Sequence, residues 1–171
     1  MPNEPRSFTP DAIHMVRTLQ TINVTMSQMA DQKASILMGA TFVVFTISIG
    51  QASRPGGLTV AIGVLALFAL IAAMLAVWAI LPAVGAAKGS NLLFFGSFTQ
   101  MEEQDFADQI IDRLATPEST YRMMLHDIYQ NGQVLQRKKY RFLGYAYRVF
   151  LCGLVFTVVT FIAEKAFAVS L

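Results

Sequence analysis

An all-helical membrane protein, a bundle of two to three spans flanked by further helices, is predicted by three features of this sequence. Only 14% of its 171 residues are charged and 54% are hydrophobic, against about 25% and about 45–50% in soluble domains. The mean hydropathy is +0.50, and the apolar residues gather into uncharged runs long enough to cross a bilayer, which takes about 20 residues. Outside those runs the apolar residues recur at spacings of three and four, never in strand alternation.

Residues 1–33 read as an amphipathic N-terminal helix. Thr9 can cap it, Pro10 suits its first position and Asp11 complements its positive end. Ile13, Val16, Leu19, Ile22, Met26 and Met29 form an apolar stripe that should face the central segment, a partner subunit or lipid headgroups. Asn23, Thr25, Ser27, Gln28 and Gln32 make the opposite face polar but little charged. No Gly or Pro precedes the first span, so the helix should continue into it past Asp31 and Lys33.

The first two spans, residues 34–53 and 58–81, contain no charged residue within Ala34–Ser53 and Leu58–Leu81. A turn containing Arg54, Pro55, Gly56 and Gly57 should join them as a tight hairpin. Gly63, Ala66, Ala69, Ala72, Ala73, Ala76 and Ala79 give the second span a small-residue face suited to close packing, within the hairpin or between subunits.

Residues 82–141 read as a helical segment outside the bilayer. The chain should turn through Gly85, Gly89 and Asn91 into Leu92–Gly96, too short to span and expected to dock on helices or the interface. Thr99-Gln100-Met101-Glu102 has capping-box spacing, predicting a helix to about Ala115 with Met101, Phe106, Ile110, Ile111 and Leu114 on its apolar side. Thr116-Pro117-Glu118 predicts another, with Tyr121, Met124, Leu125, Ile128 and Leu135 as its stripe and a weak point at Asn131-Gly132. The third span, residues 142–163, is uncharged only from Val149. It extends back through Arg148, whose guanidinium can snorkel to the interface.

Basic residues set the orientation. Residues 1–33 hold three and residues 82–141 hold seven, while the opposite side holds only Arg54 and Lys165. The N-terminus and residues 82–141 should therefore be cytoplasmic, with the first helix anchoring the chain as synthesised. A net charge of +2 argues against nucleic-acid binding. The single cysteine, Cys152, excludes an internal disulfide and a cysteine-based zinc site. His14 and His126 are the only imidazoles, neither Walker nor G-x-S-x-G order occurs, and no catalytic or metal site is expected. The seven acids within residues 102–127 read as a solvated face. A membrane acid, usual in proton-coupled transporters, is absent from the spans.

Four strings carry a resemblance: Met29-Ala30-Asp31-Gln32-Lys33-Ala34 at the mouth of the first span, Asn91-Leu92-Leu93-Phe94-Phe95-Gly96, His126-Asp127-Ile128-Tyr129, and Lys139-Tyr140-Arg141. In this order, over about residues 12–163, the chain resembles the Pycsar transmembrane effectors. The resemblance implies an antiphage role. A partner cyclase would make cyclic UMP or cyclic CMP, and the effector would respond by damaging the inner membrane and aborting infection. It implies no enzymatic activity and no cofactor beyond that activating ligand; membrane lipid and further copies of the chain would be its other partners.

Beside that resemblance, a cyclic mononucleotide needs cationic donors for one negative charge and a flat surface for its base. Lys88, Arg113 and Arg122 are the candidates for the phosphate, and Phe95, Tyr121 and Tyr129 for the base. Asp31 is expected to pair across to Lys139 or Arg141, so that Asp31, Lys33 and Arg148 are candidate gating or interface residues. A ligand-independent membrane scaffold or assembly subunit has the same composition and is the alternative.

Overall fold

A computed structural model describes residues 6–81 and 91–169. Of the described residues 85% are helical, and three of the helices are long and apolar enough to span a membrane. No strand occurs among the described residues. The expected turn at Gly85 and Gly89, and Lys88, lie outside them. The helices are α1 (Ala12–Ala52), α2 (Val60–Ile80), the short α3 (Phe95–Phe98), α4 (Glu103–Leu114), α5 (Pro117–Val134) and α6 (Arg141–Val169). Six residues of π-helix, Leu135–Tyr140, lie between α5 and α6. Two compact units result: Met1–Ser27 with Pro82–Leu135, and Gln28–Leu81 with Gln136–Leu171.

The second unit is a three-helix bundle. Asp31 of α1 meets Lys139 and Leu37 meets Ala146, so α1 runs parallel to α6. Val60 lies by Glu164, Phe68 by Gly153, and Leu81 by Lys138, so α2 runs antiparallel to α6. Buried or half-buried positions recur as Ala30, Ala34, Leu37, Thr41, Val44 and Ser48 on α1, and as Leu143, Ala146, Phe150, Gly153, Thr157 and Thr160 on α6. Alternating steps of three and four average 3.5 residues, the period of a left-handed coiled seam. The knobs are small, which lets backbones approach without a water-driven hydrophobic force. Thr41, Ser48 and Thr157 turn their hydroxyls back onto Leu37, Val44 and Gly153 carbonyls at 2.7–2.9 Å, so no polar group is left bare. Phe42, Ile47, Leu67, Met74, Trp78, Val155 and Ile162 are exposed, an outer surface suited to lipid.

Within α2, Ala69, Ala72, Ala76 and Ala79 are buried while Gly63 is exposed. Ala76 packs with both Leu37 and Ala146, so the small face serves a three-helix core, wider than the expected hairpin. Both ends of α2 are completed by charge from the chain around α6. Thr59 Oγ1 accepts from Ile62 N, and Glu164 Oε1 accepts from Val60 N at 2.6 Å. Lys138 Nζ donates to the Leu81 carbonyl at 2.8 Å. An acid thus sits at the positive end of α2 and a base at its negative end. The turn between α1 and α2 needs both glycines: Gly56 has φ 70°, and a Cβ on Gly57 would collide with the Gln51 carbonyl.

In the first unit several expectations change. The helix begins at Ala12 rather than Pro10; the turn before it is closed by Ala12 N donating to the Thr9 carbonyl. The inward face of α1 is Ile13, Val16, Gln20, Asn23 and Ser27, whereas Leu19, Ile22, Met26 and Met29 are exposed. Of the apolar stripe, then, Ile13 and Val16 lie inward and the later residues are exposed. On this face Asn23 lies beside Gly132 of α5, where a Cβ would sit 3.8 Å from Asn23 Oδ1. Thr99 does not cap α4. It sits at the C-cap of α3, its hydroxyl bonded to the Phe95 carbonyl, and Glu102 precedes α4 without a side-chain cap bond. Asn131-Gly132 stays helical, and the irregularity falls on the π-helix that follows. Thr116 caps α5 as expected, accepting from Ser119 N at 3.2 Å.

Candidate functional site

The junction of α4 and α5 brings two cations together. Arg113 occupies the last turn of α4, where a cation complements the carbonyl end. Its carbonyl accepts from Ser119 Oγ at 2.6 Å, fixing the end of α4 on the first turn of α5. Arg122 lies one turn further along α5 and donates through Nε and Nη2 to Glu118 Oε1 at 2.9 and 2.6 Å. That bond holds the Glu118 carboxyl below its usual value, helped by the charge of Arg122 and of Arg6 and opposed by desolvation. Among the described residues the Arg113 guanidinium has neither an ion pair nor a hydrogen bond.

The chain before α3 closes the site. Asn91 is only 2% exposed; its amide donates to Asp127 Oδ1 at 3.0 Å and its carbonyl oxygen accepts from Leu93 N at 3.0 Å. This Asx turn seats buried Leu92 and answers the expectation that the short apolar run docks on helices. Its remaining aromatic, Phe95, is exposed.

Between these elements lies a cavity of about 280 Å³ lined by Asn91, Leu92, Arg113, Arg122, Met123 and His126. That is close to the lower end of small-ligand sites, about 300 Å³. Gln130 Nε2 lies 2.9 Å from His126 Nε2. Two guanidiniums, an imidazole and a buried amide can thus bind an anion with a polar body. A larger cleft of about 500 Å³ between α2 and α6 is mostly apolar, with Ala61, Ile62, Val158 and Phe161 in its walls beside Glu164 and Lys165.

Arg113 and Arg122, both named from the sequence, share this cavity. Phe95, Tyr121 and Tyr129 do not line it. Tyr121 packs on Phe8 with ring centroids 4.7 Å apart, and Tyr129 is exposed. His126 and Asn91 were not singled out as ligands; each opens one of the four strings that carry the resemblance, which is the signal that could have found them. The acids of α4 (Glu103, Asp105, Asp108 and Asp112) are exposed, and no group of three His, Cys, Asp or Glu able to hold a metal occurs among the described residues.

In the bundle, Lys139 Nζ meets Asp31 Oδ2 at 2.6 Å, the first of the two expected partners. The Lys33 carbonyl accepts a long bond of 3.5 Å from Tyr147, and Arg148 is exposed on α6. Glu164, which joins α6 to α2, was missed because it lies one residue past the uncharged run.

Among known families, the family described as "Pycsar effector protein domain", PycTM, matches residues 14–164. No match was found among curated proteins or among solved structures.

Proposed function

The chain belongs to the Pycsar effector protein family, and from that premise we propose that a cyclic pyrimidine mononucleotide, cyclic UMP or cyclic CMP, activates it. Membership makes it an effector of a Pycsar-type antiphage system. A partner cyclase supplies the nucleotide on infection. The activated effector then impairs the inner membrane through α1, α2 and α6, acting without catalysis and without a resident cofactor.

The observation that supports the ligand reading is the cavity where Arg113, Arg122, His126 and Asn91 converge. Arg113 takes the cyclic phosphate, because its guanidinium has no competing carboxylate among the described residues. His126 and Asn91 address the polar edges of ribose or base. Of the aromatic candidates, Phe95 and Tyr129 have exposed rings that can stack a base from outside the cavity, whereas Tyr121 is engaged by Phe8. Lys88 is a further donor to the phosphate.

Residues 82–141 and the N-terminus face the cytoplasm in this reading, supported by the excess of basic residues there. The Asp31–Lys139 pair acts as a latch between α1 and α6 that opens on activation, with Lys33 and Arg148 at the interface. A ligand-independent scaffold is the alternative. Dye-loaded liposomes carrying the purified protein decide between them: release on adding cyclic UMP or cyclic CMP, but not their 5′-monophosphates, is expected. Intact liposomes with either nucleotide would leave the scaffold.

A further inference from the structure

Arg122 lines the cavity yet is already held. Its Nε and Nη2 both reach Glu118 Oε1, and the Glu118 carboxylate also lies 3.9 Å from Arg6 Nη1. Glu118 itself stands outside the cavity wall. One turn along α5, Tyr121 holds the ring of Phe8, so residues 6–11 lie as a strap on the first turns of α5.

Resting on the reading of this cavity as the nucleotide site, we infer that Glu118 sets its selectivity by charge. The carboxylate stands in on Arg122 for a ligand's phosphate, and only an anionic ligand can take the guanidinium from it. An exposed ion pair at (i, i+4) is weak, shifting an equilibrium by about twofold. A phosphate already seated on Arg113 offers Arg122 a second charge-assisted bond and repels the Glu118 carboxylate. A neutral nucleoside offers neither and leaves the pair intact. Once Arg122 is handed over, Glu118 retains Arg6 as its cationic neighbour, so the exchange is felt by the strap that leads into α1. Glu118 thus acts as a competitor within the site, and it does not touch the ligand.

Titration of the full-length protein in lipid nanodiscs tests this, using cyclic UMP, cyclic CMP, uridine and inorganic phosphate as probes. Glu118→Gln should bind the activating nucleotide and phosphate about two- to fivefold more tightly than the original protein. Uridine affinity should not change, and the gain should shrink at high salt. Glu118→Ala should show the same gain, since the effect is one of charge. Anion binding no tighter in either variant, or an equal gain for uridine, would overturn the role of Glu118 while leaving the site in place. Failure of both proteins to bind any nucleotide or phosphate would remove the site and the inference together.

Discussion

Arg113 and Arg122 differ in what they must give up. Arg113 has no ion pair among the described residues, whereas Arg122 must leave Glu118. Arg113→Ala should therefore weaken cyclic nucleotide binding about tenfold or more, the scale of one charge-assisted bond, and Arg122→Ala should weaken it less. Calorimetric titration of the two variants checks the order. Glu118 also imposes a pH dependence. Its pKa is lowered by the Arg122 bond, so the pair contributes fully above the unfolded glutamate value, about 4.3. The contribution is lost as pH falls from there through the lower folded value. Thermal melts of Glu118→Gln and the original protein should differ slightly at neutral pH and converge in acid. Convergence in the opposite direction would reverse the assignment. Both arginines were visible in the sequence because cations are scarce in an acid-rich stretch. His126 and Asn91 were not, because a lone imidazole and a buried amide join a candidate site only when the fold places them on one cavity.

Helices were legible from spacing wherever one partner face exists, and misleading where two compete. The first half of α1 carries an apolar stripe and a polar face, and its inward residues come from both, Ile13 and Val16 from one and Asn23 and Ser27 from the other. Thr99 met the capping-box spacing, yet its hydroxyl serves the short α3 instead. Spacing registers that a hydroxyl is available and is silent on which helix end takes it. The small residues of α2 were read correctly as packing residues, but their main antiparallel partner, α6, is about 80 positions away and its approach is set by Gly153. A Cβ at Gly153 would strike Phe68 Cβ, which is not a mobile tip of the side chain. Gly153→Ala should force α2 and α6 apart and cost about 1–3 kcal/mol, read as a lower melting temperature in detergent. Phe68→Ala should not rescue it, since the collision is with Cβ. The Asp31–Lys139 latch makes a second prediction at this scale. Asp31→Lys should raise dye leakage and cell toxicity without nucleotide, and the exchange Asp31→Lys with Lys139→Asp should restore silence. A silent, well-folded Asp31→Lys protein would remove the latch.

At the scale of the molecule, three helices are too few to enclose a wide pore, so pore formation by this chain would take several copies. Switching a resting population of about 1:99 to 99:1 takes a ligand preference near 5.5 kcal/mol. One phosphate and one base per chain supply that only when subunits switch together, so dye release should rise with nucleotide more steeply than a single-site curve. The bundle also fixes sidedness by its own directions. With α1 parallel to α6 and α2 antiparallel, residues 31, 81 and 138–139 lie at one end and residues 59–60 and 164 at the other. In the proposed reading the end that holds Asp31 and Lys139 faces the cytoplasm, the side on which residues 82–141 lie. Single cysteines at Ile111 and Leu114, both exposed on α4, placed in a Cys152→Ser background, report that side directly. A membrane-impermeant maleimide should label them in inverted membrane vesicles and not in intact spheroplasts. Labelling in spheroplasts would put the cavity outside the cell, beyond the reach of any cyclic nucleotide made within it.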